Sequence, residues 1–130
     1  MERRHIEGTW QKDFSFSPAV TTTGGRVIWL AGHGATHDAN GKSLAGDFEA
    51  QVHATFKFLE ATLKAAGGKL EDMVTMTVFI LDVRHSRTFT SLRKQYFPSG
   101  RYPGSALITA AGFADPAMMV EIQGIAVVPE

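Results

Sequence analysis

One carboxylate, Glu121, stands inside the apolar run Met119-Val-Glu-Ile-Gln-Gly-Ile-Ala126. Burying an unpaired charge costs several kcal/mol, so this side chain requires a partner, a crevice or water. Read as a strand, the run puts Glu121 and Gln123 on one face and Val120, Ile122 and Gly124 on the other. Two readings follow: a solvent-facing sheet surface, or a carboxylate in a cleft between copies that holds a water or moves a proton.

The histidines say less. His33 and His37 lie in Gly-His-Gly-Ala-Thr-His-Asp, a glycine-rich loop after a strand, beside Asp38. A spacing of four aligns metal ligands only on a helix, and the glycines argue against one, so no metal is expected. His5 and His85 fall in no pattern. Ser17, Ser91, Ser99 and Ser105 lack a nucleophile elbow, and the glycines form neither a P-loop nor a dinucleotide fingerprint.

The elements that must position these groups read as one domain over residues 1–130. Hydrophobic residues make up 44% and charged residues 20%, ordinary for a globular protein. Thirteen basic residues balance thirteen acidic ones, so no long-range field favours nucleic acid or an anionic membrane surface. Arg84, Arg87, Arg93, Lys94 and Arg101 cluster in sequence and read as a solvated helix face. The absence of cysteine excludes disulfides and thiolate chemistry and fits a reducing, cytoplasmic setting. No apolar run approaches the ~20 residues that span a bilayer.

Phe14–Thr22 and Arg26–Gly32 flank Gly24-Gly25 and read as a hairpin. Asp47 reads as the N-cap of a helix whose stripe is Phe48, Val52, Phe56, Leu59 and Leu63, ended by Gly67-Gly68. Met73–Leu81 is a buried strand, and a second helix runs from about 85 or 86 to Tyr96 with Phe89 and Leu92 inward. Strands at Ser105–Ala111 and Met119–Val128 finish the chain. The order is β-β-α-β-α-β-β, an α+β fold with both helices on one face of a mixed sheet. The other sheet face then requires another copy to cover it.

The ordered set of segments resembles the RidA/YjgF family, the reactive-intermediate deaminases. It runs from Phe16-Ser-Pro-Ala-Val20 through Leu30-Ala-Gly32, Gly46–Gln51, Leu59–Gly67 and Leu70–Ile80. Tyr96-Phe-Pro98, Pro103-Gly-Ser-Ala106 and Val120–Ala126 complete it. The resemblance implies a chorismate-mutase-like subunit, a homotrimeric barrel with clefts between subunits, and hydrolysis of enamines or imines to carbonyl products and ammonia. It implies a small-molecule substrate and neither metal nor organic cofactor; the balanced charge and the lack of a spanning segment add the expectation of no nucleic-acid or membrane partner. Glu121 matches the glutamate that positions water, and Phe16, Gly32, Gly104, Ser105 and Ala106 match pocket positions. The family's carboxylate-clamping arginine corresponds to Gly104, and Phe16, Pro18, Ala31 and Ala106 replace more polar residues. Arg101, three residues upstream, and the imidazole of His33 are the candidates to compensate. The alternative is a trimer that binds a metabolite or partner without catalysis; RNA cleavage is a third, disfavoured by the neutral charge.

Overall fold

The computed structural model describes all 130 residues. Eight regular elements follow in order: β1 (Glu2–His5), β2 (Val20–Thr23), β3 (Arg26–His33), α1 (Phe48–Ala65), β4 (Met73–Ile80), α2 (Ser86–Lys94), β5 (Gly104–Thr109) and β6 (Val120–Val128). Asp47 caps α1 by accepting the Ala50 amide at 3.1 Å, and Gly67, at φ 87°, turns the chain away from its end. All five residues of the expected stripe are buried.

The main sheet has the order β3-β6-β4-β5. It is mixed: β4 lies parallel to β5, with α2 as the crossover, and antiparallel to β6. Ile28, Leu30, Met76, Val78, Ile80, Ile122 and Ala126 share one core with Val52, Phe56, Leu59, Leu63, Phe89 and Leu92 of the helices. Both helices therefore cover one face. The other carries Val27, Ile108 and Trp29, the last 77% exposed.

The hairpin expectation needs correcting. Gly24 and Gly25 do turn the chain, both at positive φ. Yet β2 pairs with the N-terminal β1 in a separate two-stranded ladder, not with β3. Arg3 ties β1 down by bonding Asp72 at 3.1 Å and the Val127 carbonyl. The strand at β1, Glu-Arg-Arg-His, carries no apolar alternation, so it left no signal in the sequence.

Candidate functional site

Glu121 lies half-buried on β6, opposite Phe79 of β4. The antiparallel pairing of β3 with β6 slips between Leu30 and His33, which face Gly124 and Ile122. Ala31 and Gly32 thus oppose Gln123 alone, a β-bulge. The extra residue leaves both exposed, while Leu30 and His33 both turn toward the helices. Gly32 then sits directly against the Glu121 side chain. A Cβ at 32 would fall 2.9 Å from Glu121 Cδ and Oε2, so the carboxylate occupies space that any other residue would fill. Glu121 belongs to neither ion pair of the chain.

The bulge takes His33 elsewhere. Its buried ring lies over Phe58, with Nδ1 at 2.7 Å from the Ala31 carbonyl and Nε2 at 2.8 Å from Thr62 Oγ1. The structure does not bring His33 to Glu121: both ring nitrogens are engaged on the helix side of the sheet. His37 and Asp38 close their own loop, Asp38 Oδ1 accepting the Asn40 and Lys42 amides at 2.9 Å.

A second group assembles at the outer edge of β5. Ser17 bridges to Gly104, donates its hydroxyl to the Tyr102 carbonyl at 2.7 Å and its amide to Pro103 at 2.9 Å. This strip sets Phe16 beside Arg101, both lining one small cavity. Ala106 points outward and Ser105 inward. A side chain at Gly104 would meet nothing nearer than the Val74 carbonyl at 3.6 Å, so glycine is not sterically required there.

Register separates the two groups within one chain. Gly104 pairs with Thr75, which pairs with Ile125; Glu121 lies four residues further along β6. Four residues at ~3.3 Å and two strand spacings at ~4.8 Å put Glu121 roughly 16 Å from Gly104. Within a single copy the two groups therefore do not adjoin.

One residue went unread in the sequence. Arg93, grouped above with a solvated helix face, is 1% exposed. Its Nε donates to Ser15 Oγ at 3.0 Å, Nη1 to Ser105 Oγ at 2.7 Å and Nη2 to the Phe14 carbonyl at 3.1 Å, while the guanidinium stacks over Phe89. No carboxylate pairs with it, and burial pushes its pKa down to about 10. Arg93 thereby joins α2 to both strips that line the outer group, residues 14–17 and 104–106. The signal was present: Phe89, Leu92, Arg93 and Tyr96 follow i, i+3, i+4, i+7, which puts Arg93 on the apolar stripe.

A mixed four-stranded sheet backed by two helices, with a lone glutamate on the uncovered face, defines an α+β class of protein. The family model described as Endoribonuclease L-PSP matches residues 11–128, and the chain belongs to this family, the RidA/YjgF proteins. Human 2-iminobutanoate/2-iminopropanoate deaminase is 26% identical over 102 residues, 78% of this chain and 73% of that protein. A RutC family protein of Aquifex aeolicus is 30% identical over 82 residues, and the match spans 63% of either chain. Among solved structures, a Rid family protein from Yersinia pestis, YyfB, superposes with a TM-score of 0.86 at 23% identity, covering 98% of this chain and 100% of that one. RidA from an Antarctic Psychrobacter gives 0.72 at 25% identity, covering 88% and 89%. No helix is long and apolar enough to cross a membrane.

Proposed function

We propose that the chain is a cytoplasmic, cofactor-free hydrolase of enamines or imines, working in clefts between the subunits of a homotrimer. The observation that carries this reading is the Glu121 carboxylate, free of ion pairs and set in the space left by Gly32. The name of the human relative supports the chemistry. The apolar open sheet face, with Trp29, Val27 and Ile108, supports assembly. The ~16 Å between Glu121 and Gly104 supports a shared site, because only a second copy brings the two groups together.

In the reaction an enamine first tautomerises to its imine. Water held by Glu121 adds to the imine carbon while the carboxylate takes a proton from it. That proton passes to nitrogen to give a carbinolamine; its hydroxyl proton then moves to nitrogen as the C–N bond breaks, releasing ammonia and a carbonyl compound. With no fixed cation at residue 104, the pocket is roomier and less polar than one built around an arginine, which suits bulkier substrates.

The test generates imines in situ with a pyridoxal-phosphate lyase and follows ammonia release. Wild type should accelerate it, and Glu121→Gln should lower the rate by about 10²-fold or more with assembly intact. No acceleration on small or bulky substrates, by wild type or by Gly104→Arg, removes the enzyme reading. Glycine at the clamp position favours one rival, a trimer that binds a metabolite without turning it over.

A further inference from the structure

His33 is a buried titratable side chain that the reaction above does not use. It is 5% exposed, on the helix side of β3, where burying an imidazole is unfavourable unless its nitrogens are bonded. Both are. Nδ1 lies 2.7 Å from the Ala31 carbonyl two residues back, and Nε2 lies 2.8 Å from Thr62 Oγ1 of α1. The ring packs on Phe58, with centroids 4.4 Å apart.

These partners fix the proton. A carbonyl oxygen only accepts, so Nδ1 carries the hydrogen, and in the neutral ring Nε2 accepts from the Thr62 hydroxyl. One rigid ring thereby joins α1 to the backbone oxygen of Ala31. That oxygen belongs to the bulge: neither Ala31 nor Gly32 has a partner in the register between β3 and β6. A bulge interrupts the ladder that would otherwise hold these two residues, so their place depends on another restraint. Gly32 in turn borders Glu121, whose Cδ and Oε2 lie 2.9 Å from where a Cβ would stand. A continuous path runs from Thr62 through His33, Ala31 and Gly32 to the carboxylate.

We propose that His33 is a positioning residue: its Nδ1–H bond to the Ala31 carbonyl sets the bulge, and the bulge sets the Glu121 carboxylate. The effect on turnover rests on the deaminase reading; the placement of the carboxylate does not. Asparagine and glutamine divide the two contacts of the ring. The asparagine amide nitrogen stands where Nδ1 does and the glutamine amide nitrogen where Nε2 does. His33→Asn therefore keeps the Ala31 anchor, and His33→Gln keeps only the tie to Thr62.

The experiment takes three readings. Nitrogen-15 NMR of the wild-type ring at pH 8 should show the proton on Nδ1; a proton on Nε2 overturns the proposal, and this reading needs no variant. The Overhauser contact between Gly32 Hα and Glu121 Hγ should persist in His33→Asn and weaken in His33→Gln. Ammonia release from imines should keep kcat within about threefold in His33→Asn and lose at least about tenfold in His33→Gln, with KM changed less than about twofold in both. Thermal unfolding of each variant runs alongside, because a merely structural histidine predicts that the rate follows stability whichever contact is kept. Equal Overhauser contacts in the two variants overturn the proposal, as do equal kcat values where the wild type is active. If the contacts follow the expected pattern while the wild type hydrolyses no imine, the positioning role stands and the deaminase reading falls. If hydrolysis depends on Glu121 while His33→Gln alters neither contact nor rate, the positioning role falls and the deaminase reading stands.

Discussion

Replacing Arg93 separates the effect of its charge from the effect of its volume. Burial takes its pKa from the ordinary arginine value down to about 10, and at about 1.36 kcal/mol per tenfold the cation costs roughly 3 kcal/mol relative to one in water. Because the folded value is depressed, the unfolded chain holds this proton more firmly. The cost is therefore present at neutral pH and fades only as pH climbs above about 10 toward the ordinary arginine value. Methionine removes the charge and fills much of the space. It also leaves Ser105 Oγ without the Arg93 donor, a loss of roughly 1–3 kcal/mol. Ser15 Oγ loses the same donor but still gives its one proton to the Phe14 or the Thr90 carbonyl, each at 2.7 Å, so it is not left without a partner. These effects nearly cancel, and Arg93→Met should shift stability by less than about 1.5 kcal/mol. Arg93→Ala adds a cavity costing about 2–5 kcal/mol, for a net loss of about 2–4 kcal/mol. Urea unfolding at pH 7 and fixed protein concentration reads both variants. Equal losses for Met and Ala would refute the reasoning, because the hydrogen bonds, not the packed volume, would then dominate.

Two glycines of the sheet should respond differently to alanine. At Gly124 the new Cβ would meet the Thr75 carbonyl at 2.3 Å, so strands must move and about 1–3 kcal/mol should be lost in thermal unfolding. At Gly32 it would meet only the flexible end of Glu121; stability should fall less while imine hydrolysis falls at least tenfold, as misplacement of a catalytic group does. If copies associate through the open sheet face, Trp29→Glu puts a charge there and should lower the light-scattering mass toward that of a monomer. Hydrogen bonds from Arg84, at 2.7–3.1 Å, hold the Asp82 carboxyl at about 2 against an ordinary 3.8. The contribution of that exposed pair is complete above about 3.8 and is lost as pH falls through about 2; a carboxyl NMR titration of Asp82 should show this, and Arg84→Gln should raise the value only part of the way, because the amide of residue 84 still donates to the carboxylate.

What the sequence disclosed depended on how local the cause was. The α1 stripe and its Asp47 cap are set by contacts within five turns, so periodicity alone located them. Alternation along β6 likewise put Glu121 on the face opposite Val120 and Ile122. The bulge at Ala31-Gly32 has no such local mark. In the sequence His33 read as a loop residue beyond a strand ending at Gly32, and it became a site candidate through the family resemblance; the strand in fact extends to His33, and one extra residue at the bulge turns its ring against α1. β1 was missed because its strand pairing is held by distant partners, Thr21–Thr23 and Asp72, instead of by its own pattern. Arg93 was misread because its charge outweighed its place on the helical stripe.

Both tryptophans, Trp10 and Trp29, lie outside the hydrophobic core. Indole emission in this protein therefore reports on surfaces: denaturing an isolated chain changes the surroundings of either ring little. If neighbouring copies cover Trp29, their association shifts its emission to the blue while Trp10 stays in contact with water. Dilution followed by intrinsic fluorescence would then measure the subunit equilibrium without a label, with Trp10→Phe leaving a single reporter.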